Sequence, residues 1–358
     1  MTLPVEPPIA PMLAAPARDG IPLGPPNSLS YEPKWDGFRT IIFRDHDEVV
    51  VQGRNGDDLA YAFPEVVAAA RLALPNRIVL DGELIIVATD TLDFEALGNR
   101  IRPRSEAGRD SIRRLSEDSP ARFVAFDLLA IGDDNLMDMP FHHRRERLVA
   151  AMTPTPPGFH LTPATDSSET AAEWFAMFEG GGLDGLIVKP LSDPYTPGKR
   201  TLLKVKHQRT LDAVVAGWRA HTSSPQQVGS LLLGLYDDDQ RLHHIGVCSG
   251  FSAAKRHEFY ALLLPLQLRD DEPHPWRDAP DGTRLPGSVN RWSRGRDASW
   301  IAVRPDLVAE VSYDQFGGPR LRHVAGWQRW RPDREATSCT YDQVARPEPF
   351  DIRRVLGP

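Results

Sequence analysis

Apolar positions along the chain change their period several times, and each change predicts an element. Residues 40–43 and 49–52 are short apolar runs parted by the polar turn Asp45-His46-Asp47, which predicts a hairpin. Phe63, Val66, Val67 and Ala70 recur at helical spacing, so a helix over 63–73 is expected to cover a sheet. Residues 78–87 read as a long strand broken by Asp81 and Glu83, which share one side and are costly to bury without partners. A further strand is read over 121–129. Ala171, Trp174, Phe175 and Phe178 form the stripe of a helix over 171–179, opened by the capping pair Thr170 and Glu173. Gly180-Gly181-Gly182 ends that helix and feeds a short strand over 185–188. A turn at 197–200 then leads to a strand in which Lys204 and Lys206 alternate with Leu203 and Val205, placing both amines on one face.

Past a boundary near 207–210 the period shortens. Strands are read over 211–216, 230–236, 242–247 and 307–313, with one helix carrying Phe259, Leu262, Leu263 and Leu266. Short strands with a single helix fit a small closed barrel. Residues 1–28 are rich in Pro, Ala and Gly without an apolar period and read as an extended arm. The stretch after Pro347 reads as an ordered end at most. The expected class is α+β, divided as 1–28, 29–207 and 208–358, with no internal repeat.

The chain has 358 residues, 41% hydrophobic and 25% charged, enough for two cores. Cys248 and Cys339 lie far apart in no metal-binding spacing, and Cys248 sits in an apolar run as a small core residue. No long apolar run or secretory leader is present, which leaves a cytoplasmic location as the expectation. The net charge of −7 disfavours a non-specific nucleic-acid coat more than it disfavours an enzyme. Locally the balance reverses. Arg100, Arg102, Arg104, Arg109, Arg113 and Arg114 crowd one stretch, and Arg284, Arg291, Arg294 and Arg296 another. Both suit phosphate contact; for the first, a solvated helix face is the alternative.

Chemistry concentrates around Tyr31-Glu32-Pro33-Lys34-Trp35-Asp36-Gly37-Phe38-Arg39. A lysine two residues ahead of Asp-Gly reads as an amine held at a tight turn, with Gly37 expected to supply unusual backbone angles. Taken alone, the pattern also fits a plain hairpin with an exposed lysine. For Asp81 and Glu83 the alternative is a structural ion pair. For Lys204 and Lys206 it is an edge strand guarded by lysines.

Elements further down the chain change the reading. Gly53-Arg54-Asn55-Gly56, Leu80-Asp81-Gly82-Glu83-Leu84, residues 123–127, residues 183–189 and Leu203-Lys204-Val205-Lys206 succeed the first element in turn. This series resembles the nucleotidyltransferase motifs of the ATP-dependent DNA ligases, and is most similar to the minor bacterial C-type enzymes and the ligase domain of the end-joining D-type enzymes. The segment Arg329-Trp330-Arg331-Pro332-Asp333-Arg334 resembles the family's last motif, in an OB-fold domain.

The resemblance implies a fold and a set of roles. An adenylation domain with antiparallel sheets would precede the OB-fold barrel, with no separate DNA-clasping domain ahead of it. Lys34 would attack the α-phosphate of ATP and carry AMP, which passes to the 5′-phosphate of a nick in duplex DNA before the 3′-hydroxyl seals the strand. Glu32 matches the glutamate that recognises adenine, Phe126 the aromatic that stacks on it, and Arg39 and Arg54 the arginines that order the nucleotide and the nick phosphate. Lys189 joins the nucleotide-binding set, while Lys204 and Lys206 match the pair on the α-phosphate. Glu83 matches a carboxylate that contacts ribose or a metal-bound water, and Glu83 and Asp184 are the implied residues for Mg²⁺, Asp184 directly or through water, with Mn²⁺ as a substitute. Arg331 and Asp333, with Arg329, are implied to act on the β,γ-phosphates as the second domain closes about a hinge near 207–210. Two positions depart from many relatives. Asp184 stands where a glutamate is usual, and Arg334 where a lysine is.

Physically the set is coherent. An amine attacks phosphorus only when unprotonated, and neighbouring positive charge disfavours its ammonium form. An RNA ligase or an RNA-capping nucleotidyltransferase shares this scaffold and is the first alternative; a non-catalytic DNA-binding module is the second. The expected setting is DNA repair, as a monomer, with a repair polymerase as a candidate partner.

Overall fold

The computed structural model describes residues 1–102, 104–287, 299–345 and 347–356. The chain forms two compact units, Met1–Lys206 with Pro347–Pro358, and His207–Arg346. In chain order the first unit contains β1 (Leu13–Pro16), β2 (Leu29–Pro33), β3 (Phe38–Asp45), β4 (Glu48–Gly53), α1 (Pro64–Ala73), β5 (Arg77–Ile85), α2 (Phe94–Arg100) and α3 (Glu106–Asp118). β6 (Arg122–Ile131), α4 (Phe141–Ala151), β7 (Phe159–Leu161), α5 (Ser168–Met177), β8 (Leu186–Pro190) and β9 (Arg200–Val205) follow.

The larger sheet runs in the order β7-β6-β5-β3-β4 and is apolar on both faces. Ile42, Ile78, Leu80 and Leu128 point to a core shared with Phe63 and Val66 of the α1 region. Their neighbours Ile41, Val79 and Leu129 point to the opposite core, shared with Leu3, Val5 and Met12. Burial on both faces is why these strands read as continuous apolar runs rather than alternating ones.

The same contacts revise the reading of residues 1–28 as an arm. Leu3, Val5 and Met12 are only 3–4% exposed, and each such burial contributes about 1.5–3 kcal/mol. An extended segment that inserts single side chains has no period to detect. Further on, β1 lies parallel to β9, pairing Ala15 with Leu203 and Pro16 with Lys204. β9 is therefore an interior strand of the second sheet, ordered β1-β9-β8-β2, and not a lysine-guarded edge.

α5 begins earlier than its expected capping pair: Ser167 is the N-cap, and its hydroxyl accepts from the Thr170 N–H. The segment after Pro347, assigned from sequence to the second domain, packs in the first unit. Ile352 and Leu356 join Trp35, Leu183 and Phe178 in one core cluster. This contact also explains Gly180, where a Cβ would lie 1.7 Å from the Glu348 carbonyl oxygen.

The second unit is built on an antiparallel sheet of β10 (Arg209–His221), β11 (Ser224–Tyr236), β12 (Leu242–Ser249), β13 (Ile301–Tyr313) and β14 (Gly326–Trp330), with α6 (Ala253–Leu263) beside it. Strand order is β12-β11-β10-β13-β14. Among the described residues the sheet is not a closed barrel. Its two ends approach through a single bridge between Cys248 and Ala325, just ahead of β14, instead of a continuous ladder. No helix among the described residues is long and apolar enough to cross a membrane.

Candidate active site

The first unit holds a cleft of about 190 Å³, lined in part by Glu32, Lys34, Arg39, Arg54, Glu83, Phe126, Lys189 and Lys204. Eight residues scattered over 173 positions (Glu32 to Lys204) thus meet at one place. They come from the ends of β2 and β8, the start of β3, the turn after β4, and the strands β5, β6 and β9.

Lys34 follows β2 directly and is fixed by its backbone. Its N–H donates to Gly185 O at 2.8 Å, and its carbonyl accepts from the Asp184 N–H at 2.9 Å. Gly185 has φ +118, and a Cβ there would stand 2.0 Å from the Val205 carbonyl oxygen, so only glycine permits this pairing. Gly37 is required for a different reason from the one expected. It has no positive φ; instead a Cβ would lie 2.1 Å from Leu84 O, across the β3–β5 pairing.

Side chains complete the clamp. Lys34 Nζ lies 2.6 Å from Asp184 Oδ2, and Lys206 Nζ lies 2.9 Å from the same oxygen. Burial acts to raise the Asp184 pKa, but the Lys34 and Lys206 ammonium groups outweigh it and hold the carboxyl below its usual range.

The floor is made by a buried ion pair. Lys189 Nζ sits 2.8 Å from Glu32 Oε2, with both side chains at most 4% exposed. The same ammonium donates to the Phe126 carbonyl at 2.9 Å and lies 4.9 Å from the Phe126 ring centroid and 4.4 Å from that of Phe141. Desolvation lowers the Lys189 pKa, with Glu32 opposing it. Glu32 Oε1 is buried and has no hydrogen-bond partner. A buried acceptor left open in a cleft is an invitation to a donor on a ligand.

Arg39 forms the third corner. Its Nε and Nη2 donate to the two oxygens of Asp81 at 2.7 and 2.6 Å, and its guanidinium carbon lies 4.2 Å from the Phe126 ring centroid. Of the two carboxylates for which a structural ion pair is the alternative, Asp81 forms one, with Arg39. Asp81 is fully buried on Arg39, whereas burial pushes the Glu83 carboxyl up to about 7 against the pull of Arg39 and Lys34.

Arg331 and Asp333 belong to the other unit. There, Arg331 Nη1 donates to both oxygens of Asp212, at 3.0 and 2.9 Å, while Nε and Nη2 bind Asp333. The Arg331 guanidinium holds the Asp333 carboxyl down to about 2. No group of three or more His, Cys, Asp or Glu side chains is gathered for a metal among the described residues.

The arginine-rich stretch divides. Arg100 is fully buried and paired with both oxygens of Glu65 at 2.6 and 2.7 Å, so it is structural and not a phosphate contact. Arg104 and Arg113 are exposed. Arg284 donates to Pro319 O at 3.0 Å; Arg291, Arg294 and Arg296 lie outside the described residues.

Two residues that support the site went unread in the sequence. Tyr195 donates to Asp81 Oδ2 at 2.6 Å, and Arg144 binds both oxygens of Asp127 at 2.8 and 3.0 Å. Tyr195 had a signal: it is a lone aromatic in the turn-forming run Asp193-Pro194-Tyr195-Thr196-Pro197-Gly198. Arg144 had the opposite of one, because it occupies the centre of the buried face of α4, between Phe141 and Leu148.

The fold and the clamped lysine define a nucleotidyltransferase domain, followed in the chain by a smaller β-rich unit. Family comparison is more specific. The family described as "ATP dependent DNA ligase domain" matches residues 11–206, and "ATP dependent DNA ligase C terminal region" matches 224–334. The chain is 48% identical over 353 residues to DNA ligase C2 of Mycolicibacterium smegmatis, covering 97% of each. It is 47% identical over 355 residues to DNA ligase C of Mycobacterium tuberculosis, covering 97% of this chain and 96% of that one. A solved structure titled "DNA binding with a minimal scaffold: Structure-function analysis of Lig E DNA ligases" shares the fold, with a TM-score of 0.54 and 18% identity over 90% of this chain and 99% of that one. The chain belongs to the ATP-dependent DNA ligase family.

Proposed function

We propose that this ligase seals nicks with a 5′-phosphate and a 3′-hydroxyl in duplex DNA, using Lys34 as the nucleophile. The observation that carries the assignment is Lys34 Nζ at 2.6 Å from Asp184, beside a second ammonium on the same oxygen. Asp184 orients the Lys34 amine and is placed to take its proton as the attack proceeds, and Lys206 keeps positive charge close to the incoming phosphate. The Nζ lone pair then forms a bond to the α-phosphorus of ATP as the bond to the β-phosphate oxygen breaks, and pyrophosphate leaves. An oxygen of the DNA 5′-phosphate next displaces Lys34 from AMP. The 3′-hydroxyl finally attacks that 5′-phosphorus, and AMP departs.

Glu32 Oε1 supports adenine as the base, because the exocyclic amine supplies the donor that this oxygen lacks. Phe126 offers its ring to the base beside Arg39. Lys204 in the cleft wall, with Lys206, suits the α-phosphate; Arg54 suits a phosphate at the rim. Glu83 and Asp184 both face the Lys34 amine electrostatically, and a pair of carboxylates completed by substrate phosphates is the ligand set Mg²⁺ prefers. Such an ion, or Mn²⁺, would neutralise phosphoryl charge. Arg331 and Asp333 are assigned to the adenylation step through their motif. The resemblance to end-joining ligase domains supports a repair setting, and we assign the protein to the cytoplasm as a monomer, with a repair polymerase as a candidate partner.

Labelled nicked DNA, compared with an equivalent nicked RNA, tests the reading. Expected are a covalent AMP on Lys34 and faster sealing of DNA. Label on another residue, or preference for RNA, would overturn it.

A further inference from the structure

The cleft is ordered by a relay that starts outside it. The Tyr195 hydroxyl accepts from the Met12 N–H at 3.0 Å and donates to Asp81 Oδ2 at 2.6 Å. Asp81 in turn holds Arg39 through both oxygens, and Arg39 lies over Phe126. Tyr195 is 3% exposed and Asp81 fully buried, so neither can exchange its partner for water. The loop carrying Tyr195 is itself fastened. The Tyr195 N–H donates to Met137 O at 2.7 Å, and Arg144, paired with Asp127, donates to Asp193 O at 3.0 Å.

We propose that Tyr195 is a positioning residue for the ligase reaction: its hydroxyl fixes Asp81, and through it the Arg39 guanidinium, at the nucleotide cleft. A carboxylate bound only by a guanidinium can pivot with it, since both move together. A third donor anchored on another loop removes that freedom, and the Met12 contact ties the relay to the segment that walls the cleft. Tyr195 would then touch neither nucleotide nor DNA and act only through Arg39. This inference rests on the proposed adenylation of Lys34.

The test is a double-mutant cycle on single-turnover self-adenylation, with Tyr195→Phe, Arg39→Ala and the pair, alongside thermal midpoints. Phenylalanine keeps the buried ring and removes only the hydroxyl. Tyr195→Phe should lower the maximal rate about tenfold, the loss carried by one buried hydrogen bond to a charged group. In the Arg39→Ala background the same change should have little further effect. A merely structural tyrosine predicts equal losses in both backgrounds, tracking the midpoint, and that result would overturn the proposal. So would a Tyr195→Phe rate equal to the parent's, or an Arg39→Ala protein as fast as the parent. If the parent forms no Lys34 adenylate at all, the ligase reading falls first and this inference with it.

Discussion

Lys34 and Asp184 are joined at two levels, by a backbone hydrogen bond of 2.9 Å and by a side-chain ion pair of 2.6 Å. The first fixes where the nucleophile starts, the second where it points. Neither partner can shift without the other, because Gly185 holds the Asp184 turn against β9 with no space for a side chain.

Asp184→Asn keeps the shape of the clamp and removes its charge. If the carboxylate takes the Lys34 proton, adenylation at neutral pH should slow by on the order of 10²-fold, the low end for general base contributions, with ATP affinity little changed. A faster rate would mean that Asp184 only restrains the ammonium. Rapid-quench measurement of labelled AMP transfer reads the difference.

Lys189→Met should loosen base choice. The ammonium 2.8 Å from Glu32 Oε2 holds that side chain in one orientation, with Oε1 left open to the cleft. Without it, Glu32 loses its anchor and Oε1 no longer stands at a fixed point to select the adenine amine over the guanine carbonyl. The ratio of adenylation to guanylylation should drop about tenfold or more, and thermal stability should fall as well. An unchanged ratio would assign base selection elsewhere.

Glu83 makes stability depend on pH. Its carboxyl is raised from 4.5 to about 7 in the folded chain, so the folded state binds the proton more tightly than the unfolded one. Its contribution to stability is therefore fully present below 4.5, declines as pH rises towards 7, and is lost above it. The decline is at most about 3–4 kcal/mol, at roughly 1.4 kcal/mol for each pH unit between 4.5 and about 7. Denaturation of the parent and of Glu83→Gln across that range should show a stability difference that changes with pH, because buried groups such as His244 titrate alike in both proteins. Parallel curves would count against it.

The arginine-rich stretch should separate into two behaviours. Arg100→Ala breaks a buried pair and should cost about 3–5 kcal/mol of stability. The triple change of Arg102, Arg104 and Arg113 to Ala should leave the fold intact and reduce the salt slope of nick binding by about one unit for each phosphate no longer engaged. A slope that Arg100→Ala alters on folded protein, or that the triple variant leaves untouched, contradicts the division.

Much of the fold and site was legible because it is ordered along the chain. The hairpin of β3 and β4, the strand bearing Asp81 and Glu83, and the lysines of β9 follow short patterns that sequence carries directly. The hidden part depends on contacts between distant residues. Leu3 and Val5 have no period, since they are buried one at a time. Arg144 interrupts an apolar stripe with the residue type least expected there, and Arg100 looked like surface charge until Glu65 met it from 35 residues away. Asp184 was identifiable by motif, but its sharing between two lysines was not, because β8 and β9 bring Lys206 to it only after folding.

The return of residues 347–356 to the first unit has a consequence for synthesis. Ile352 and Leu356 complete the core beside Trp35, the neighbour of the nucleophile, yet leave the ribosome only after the whole of His207–Arg346. At about 5–20 residues per second, those intervening residues delay completion by roughly 7–28 s. A nascent chain therefore carries every residue of the cleft before it carries the wedge that packs behind Lys34. Stalled chains released before residue 347 should adenylate poorly and be cut readily near Trp35, whereas chains extended through Leu356 should do neither, so ligase activity would be withheld until translation has passed the second unit.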